Sequence, residues 1–195
     1  MVAQLLTRLH RAVDRTLHPT RLERARQLVE GCAEVREILV LCHGNICRSP
    51  FAGARLVRRL APYGVRVTTA GFLGQGRPSP RDALAAAAEF GVDLREHRSR
   101  LVVPSLLSRA DLMIVMDEDQ HATLRFDFGI PASRILLLGD LDPGTIPERG
   151  ITDPWDRPLD EFRAVYARID RCVGALVALL IRAGAVSRRT SPAQR

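Results

Sequence analysis

The sequence predicts an α/β fold of three layers, α/β/α, with a parallel sheet in the middle and a helical extension ahead of it. Three observations carry that expectation. From Glu37 onward, short apolar runs rich in Val, Ile and Leu alternate with longer segments of helical periodicity. That is the pattern of a parallel sheet covered on both faces by helices in right-handed crossovers. The first run, Ile38-Leu39-Val40-Leu41, is uniformly apolar and reads as a buried strand. It leads through a short loop into the helical stretch from Pro50 to Val57, and ligands of such sheets bind at the carboxyl ends of the strands.

In chain order, residues 1–35 read as a helical N-terminal extension. Val2, Leu5, Leu6, Leu9, Ala12 and Val13 recur at helical spacing, Pro19 interrupts, and Leu22, Ala25, Leu28, Val29, Cys32 and Ala33 resume the pattern, which predicts two amphipathic helices. Such helices serve as an extra packed layer or as an arm for docking or self-association. Residues 36–182 form the main domain, with strands at 36–42, 65–70, 111–116 and 134–138 and helices at 50–61, 79–90, 118–126 and 158–182. The tail 183–195 holds four Pro, Ser or Thr residues and three Arg and reads as disordered.

Composition narrows the function classes. With 46% apolar residues in 195, the chain has ample material for one core. Its net charge of +7 comes from arginine alone, since the sequence contains no lysine. No helix-turn-helix, zinc-finger or aromatic-basic RNA motif accompanies that charge, so the expected partners are acidic phosphoproteins rather than nucleic acid. Cys32, Cys42, Cys47 and Cys172 make neither a disulfide framework nor a zinc site, which fits a reducing cytoplasm. The longest apolar run, Cys172 to Ile181, is about half a membrane span. No signal peptide and no membrane span are expected.

Function concentrates in Leu41-Cys42-His43-Gly44-Asn45-Ile46-Cys47-Arg48-Ser49-Pro50. A tight loop between a strand and a helix turns successive backbone N–H groups inward as a nest for an oxyanion, and the helix N-terminus adds its dipole. Residues 43–49 are the expected phosphate cradle, with Gly44 and Asn45 suited to positive φ. Five residues separate Cys42 from Arg48, so one loop holds both around a single anion. Inward N–H groups, a helix N-terminus and a guanidinium favour a thiolate, the reactive form of a cysteine, and Cys42 has all three near it. Arg48 can grip two phosphoryl oxygens through the transition state. Ser49 can donate its hydroxyl to the Cys42 sulfur. A leaving oxygen also needs a proton donor from another loop. Two Asp-Pro pairs compete for that place, Asp142-Pro143 and Asp153-Pro154-Trp155.

The string C-H-G-N-I-C-R-S-P after an apolar strand resembles the signature of the low-molecular-weight protein tyrosine phosphatases, in particular bacterial ones. The resemblance covers about residues 36–182 and implies a four-stranded sheet. It also implies hydrolysis of phosphotyrosine through a cysteinyl-phosphate intermediate, with Cys42, Arg48 and Asp153 catalytic and no metal or other cofactor. The general acid of that family lies in a D-P-aromatic motif, which matches Asp153-Pro154-Trp155 and not Asp142. His97 matches a histidine bonded behind the phosphate loop, near Asn45 and Ser49. Cys47 matches a partner that closes a reversible disulfide with an oxidised nucleophile. Trp155, Phe72, Leu73 and Ile46 are candidates for the apolar wall around a substrate ring. The implied substrate is a phosphotyrosine protein, such as a bacterial tyrosine kinase or a regulator of exopolysaccharide synthesis.

Departures from that family are specific. Trp155 stands where Tyr is usual, Gly53 where Glu is common and Gln120 where Asn is common. Thioredoxin-coupled arsenate reductases share the loop but need two further downstream cysteines, and residues 73–110 contain none. Protein arginine phosphatases typically carry Thr at the place of Ile46, and an apolar branch there favours a phenyl ring over a guanidino group. A non-catalytic phosphotyrosine-binding scaffold would predict loss of Cys42, Arg48 or the acid, and all three are present.

Overall fold

The computed structural model of the chain describes residues 2–144, 146 and 148–188. Four strands, β1 (Glu37–Cys42), β2 (Arg66–Gly71), β3 (Leu112–Val115) and β4 (Ile135–Leu137), form a parallel sheet in the order β2-β1-β3-β4. The chain leaves β1 towards one neighbour and later returns to pair on its other side. This reversal opens a crevice at the carboxyl ends of β1 and β3, where α/β sheets bind ligands.

Strand periodicity explains the layers. β1 is buried along its whole length, with Ile38, Val40 and Cys42 entering one core and Leu39 and Leu41 the other. The first core is closed by α2 (Arg48–Leu60), α3 (Arg81–Glu89), α6 (Leu159–Arg182) and the last turns of α1 (Val2–Glu30). The second is closed by α4 (Pro104–Arg109) and α5 (Glu118–Phe126), through Leu106, Leu107 and Leu124. Each wholly buried Leu or Ile contributes roughly 1.5–3 kcal/mol, so two full faces hold β1 firmly where it ends in Cys42.

Three expectations need correction. The extension is one helix, α1, with Pro19 inside it, and not two. A proline in a helix interior costs about 3 kcal/mol. Here the helix is docked on both sides of the proline, by buried Asp14 and His18 before it and by Ala25 and Val29 after it, so packing outweighs the break. The main domain also runs past residue 182. The chain turns at Gly184, buries Ala185 and Val186, and pairs the Ala185 carbonyl with the Val35 N–H at 2.8 Å. Residues 189–195 of the expected disordered tail lie outside the described residues. Finally, α4 has no counterpart among the predicted elements, because six residues are too few to display a helical repeat. Among the described residues no helix is long and apolar enough to cross a membrane.

Asp142 shows how the extension joins the domain. Its carboxylate is wholly buried and accepts from Arg168 Nε at 3.0 Å, Arg171 Nη2 at 3.1 Å and the Gly144 N–H at 3.1 Å. Its carbonyl accepts from His18 Nε2 of α1 at 2.9 Å. Removing one partner of such a pair strands a buried charge, Arg168. Asp142→Ala is therefore expected to lower stability by about 3–5 kcal/mol in urea denaturation, and a loss under about 1 kcal/mol would contradict the assigned role.

Candidate active site

The loop from Cys42 to Ser49 is buried except at His43, and Asn45 sets its shape. Asn45 has φ +50, in the left-handed region, and is wholly buried. Its Oδ1 accepts the Arg100 backbone N–H at 2.8 Å. That fixes the amide orientation, because a backbone N–H can only donate, so Nδ2 donates to Ser49 Oγ at 2.9 Å. Ser49 Oγ lies 3.0 Å from Cys42 Sγ. A hydroxyl oxygen already accepting from an amide directs its own proton to the sulfur, the arrangement that stabilises a thiolate. The Asn45 carbonyl accepts from His97 Nε2 at 2.7 Å. β2 then presses on the back of the loop at Gly71, where a Cβ would lie 2.8 Å from both the Asn45 nitrogen and the His43 carbonyl oxygen.

Backbone N–H groups of Gly44, Asn45, Ile46 and Cys47 donate to no protein acceptor among the described residues. Donors left this way inside a loop of buried residues are what an anion site requires. Arg48 begins α2 and is 2% exposed, so its charge has to be compensated inside the protein. Nη1 donates to Asp117 Oδ2 at 3.0 Å and to the Ile151 carbonyl at 2.9 Å, and Nη2 donates to Asp153 Oδ2 at 2.5 Å. Nε is buried with no partner among the described residues. Asp153 also accepts from the Trp155 N–H at 3.2 Å. Over the loop lies a cavity of about 170 Å³, lined by Cys42, His43, Gly44, Ile46, Cys47, Leu73, Arg77, Asp153 and Trp155.

A strand, a thiol-bearing anion loop, an arginine and a facing carboxylate now stand in one place, and comparison with known proteins shows the kinship. The profile of the family described as low molecular weight phosphotyrosine protein phosphatase matches residues 37–186. The chain belongs to that family. Among relatives of this phosphatase, a probable low molecular weight protein-tyrosine-phosphatase, EpsP of Ralstonia nicotianae, is 37% identical over 144 residues, 73% of this chain and 94% of the relative. The crystal structure of the Erwinia amylovora tyrosine phosphatase AmsI superposes with a TM-score of 0.68 at 28% identity, over 81% of this chain and 97% of AmsI. An arginine phosphatase, YwlE of Geobacillus stearothermophilus, also superposes with a TM-score of 0.68, at 26% identity over 75% of this chain and 94% of YwlE.

Of the residues singled out in the sequence, the phosphatase brings Cys42, His43, Gly44, Ile46, Cys47, Leu73, Asp153 and Trp155 to one cavity, with Arg48 bonded to Asp153 beside it and Asn45, Ser49 and His97 behind the loop. Asp142 lies in the buried cluster with Arg168, away from this cavity, so geometry separates the two Asp-Pro pairs. Phe72 is not a wall residue. It turns into the second core and meets Phe128 at 6.4 Å between ring centroids, while its neighbour Leu73 points the other way, to the cavity. Cys47 lines the cavity, and burial, reinforced by the nearby charges of Asp153 and Cys42, pushes its thiol well above the usual range. Cys172 is buried, its thiol pushed up to about 12 by burial, whereas Cys32 is only half-buried and donates to the Leu28 carbonyl.

Three contributors escaped the sequence reading. Asp117 holds Arg48 and also caps α5, accepting from the Gln120 N–H at 3.0 Å; an Asp directly after a strand and before a helix was the available signal. Arg77 bridges the carbonyls of Gly44 and Leu73 at 3.2 and 2.9 Å and so ties the cavity rim to the loop. Tyr166 of α6 donates to the Cys47 carbonyl at 3.1 Å and stacks on Phe51 with centroids 4.0 Å apart. Both carry their information only in three dimensions.

His97 gives the site a measurable pH signature. Burial depresses its pKa below the ordinary 6.5, with Arg100 and Arg98 adding to the effect and the bond to Asn45 opposing it. Between that depressed value and about 6.5 the unfolded chain binds more protons than the folded one. The contribution to stability is therefore complete above about 6.5 and is lost as pH falls through the folded pKa. His97→Gln keeps a donor for the Asn45 carbonyl and does not titrate. It is expected to lose less stability than wild type between about pH 7.5 and about pH 5 in urea titrations. Identical pH dependence in the two proteins would contradict this.

Proposed function

We propose that this phosphatase hydrolyses phosphotyrosine in proteins through a cysteinyl-phosphate intermediate. One observation supports the reading most strongly: Cys42, backed by the Ser49 hydroxyl, shares an apolar-walled cavity with Asp153. The phosphoryl group rests on the loop N–H groups. The Cys42 thiolate attacks phosphorus, and the bond to the aryl oxygen breaks as Asp153 transfers its proton to that oxygen. Asp153, now a carboxylate, then takes a proton from water as the water attacks phosphorus, and the thiolate leaves with Ser49 donating to it. Inorganic phosphate is released and Asp153 is again protonated, so both steps balance without any cofactor.

Arg48 connects binding to this sequence. A phosphate dianion competes with Asp153 for the guanidinium, and the freed carboxylate takes up a proton from solvent and meets the leaving group as the acid. Nη1 stays on Asp117 and Ile151, so the guanidinium keeps its place and offers the Nε and Nη2 edge to two phosphoryl oxygens. Ile46, Leu73 and Trp155 give the cavity apolar walls that suit a phenyl ring better than a cationic guanidino group. That favours phosphotyrosine over phosphoarginine, although an arginine phosphatase shares the fold. A bacterial tyrosine kinase is the substrate class the family resemblance implies.

The test uses phosphotyrosine and phosphoarginine peptides with EDTA and reductant present. The tyrosine peptide is expected to be preferred, and Cys42→Ser to be inactive on both. Asp153→Asn is expected to lower kcat/KM for phenyl phosphate, whose leaving group needs a proton, about 100-fold more than for p-nitrophenyl phosphate. Preference for phosphoarginine would assign the protein to arginine dephosphorylation, and activity in Cys42→Ser would remove the covalent mechanism.

A further inference from the structure

The segment Glu148–Ile151, which delivers Asp153, is held at nearly every peptide group. Arg168 Nη2 donates to the Glu148 and Arg149 carbonyls at 2.8 and 3.2 Å, and its Nη1 to the Gly150 carbonyl at 2.6 Å. The Ile151 N–H donates to the Met116 carbonyl at 2.7 Å, and the Ile151 carbonyl accepts from Arg48. A further donor, the Arg149 N–H, is answered by α1: it reaches Asp14 Oδ2 at 2.9 Å. Asp14 is 2% exposed and is itself steadied by Arg21 Nη1 at 2.6 Å, about two turns further along the same helix. His18, one turn beyond Asp14, donates to the Asp142 carbonyl, where the connection to the acid segment begins. Asp14 also lines the cleft behind Arg48, together with Asp117, Gly150, Ile151 and Asp153.

α1 lies ahead of residues 37–186, the part that matches the family, so these contacts belong to this chain's own extension. We propose that α1 is a positioning element for the general acid: Asp14 and His18 clamp the segment that carries Asp153, and so set how well it protonates the leaving oxygen. They touch no reacting atom, and their effect passes through the backbone at Arg149 and Asp142. The proposal rests on Asp153 being the acid.

Mispositioning an acid has a signature that general destabilisation lacks. Phenolate is a poor leaving group and needs the proton, whereas p-nitrophenolate leaves nearly as well without it, so the two substrates separate. The full-length protein is compared with Asp14→Ala, Asp14→Ala/His18→Ala, Asp14→Asn, the exposed-site control Leu17→Ala, and Asp153→Asn. The double variant is expected to raise the ratio of kcat/KM for p-nitrophenyl phosphate over phenyl phosphate about tenfold, part-way to Asp153→Asn. Asp14→Asn keeps an acceptor for the Arg149 N–H and is expected to stay within about twofold of wild type, as is Leu17→Ala. Should the double variant not fold, Asp14→Ala alone is expected to show the same rise in lesser degree. An unchanged ratio in the folded double or single variant, or an equal loss on both substrates, would overturn the proposal while leaving the phosphatase reading intact. A ratio unmoved by Asp153→Asn would remove the acid assignment itself, and this proposal with it.

Discussion

The site depends on a single amide. Asn45 sits at positive φ, fully enclosed, with its oxygen on the Arg100 N–H and its nitrogen on Ser49. Without those two bonds a left-handed, non-glycine residue in the middle of a buried loop would be strained and under-satisfied. With them, the loop keeps its curvature, the Ser49 proton is aimed at Cys42, and the N–H groups between Gly44 and Cys47 are left for an anion. Gly71 extends the same constraint into the sheet, since any side chain there would collide with the loop. Sheet, loop and nucleophile are one mechanical unit.

Arg48 plays the corresponding electrostatic part. A guanidinium that is nearly inaccessible needs fixed counter-charges, and Asp117 and Asp153 supply them from two different connections of the sheet. One charge thus organises the ends of β1 and β3 and the segment after Gly150. Asp117 and the Ile151 carbonyl hold Nη1 independently of the Asp153 contact at Nη2. The long helix α6 serves the same segment from beneath through Arg168, whose three carbonyl contacts fix the approach to Asp153. With Asp14 of α1 bonded to the Arg149 N–H on the other side, the segment that carries Asp153 is built into the packing.

Much of this was legible in the sequence because the anion loop is contiguous. Cys42, Arg48 and Ser49 lie within eight positions, and their roles follow from side-chain chemistry and spacing. Asp153 is different: two Asp-Pro pairs looked alike as strings, and only family resemblance, and then geometry, separated them. The cap that Asp117 forms on α5 had a local signal, but its hold on Arg48, like the bridge Arg77 makes between carbonyls of two loops, is made across the fold and has none. Phe72 and Leu73 were both offered as wall residues, yet where β2 ends adjacent side chains point to opposite faces, and just one can reach the cavity. Pro19 misled for a related reason. Local propensity argued for a break, and the buried contacts that hold the helix ahead of it, from Asp14 and His18, are to residues more than a hundred positions away.

The most direct measurement is to mix Asp153→Asn protein, in which the proposed mechanism slows breakdown of the intermediate, with p-nitrophenyl phosphate, quench in acid, digest, and locate the phosphoryl group by mass spectrometry. A phosphoryl group on Cys42, chased off when substrate is removed and absent from Cys42→Ser, is the expected result. Turnover with no phosphoryl-enzyme, or with the group on another residue, would contradict the central claim that this loop both binds the anion and reacts with it.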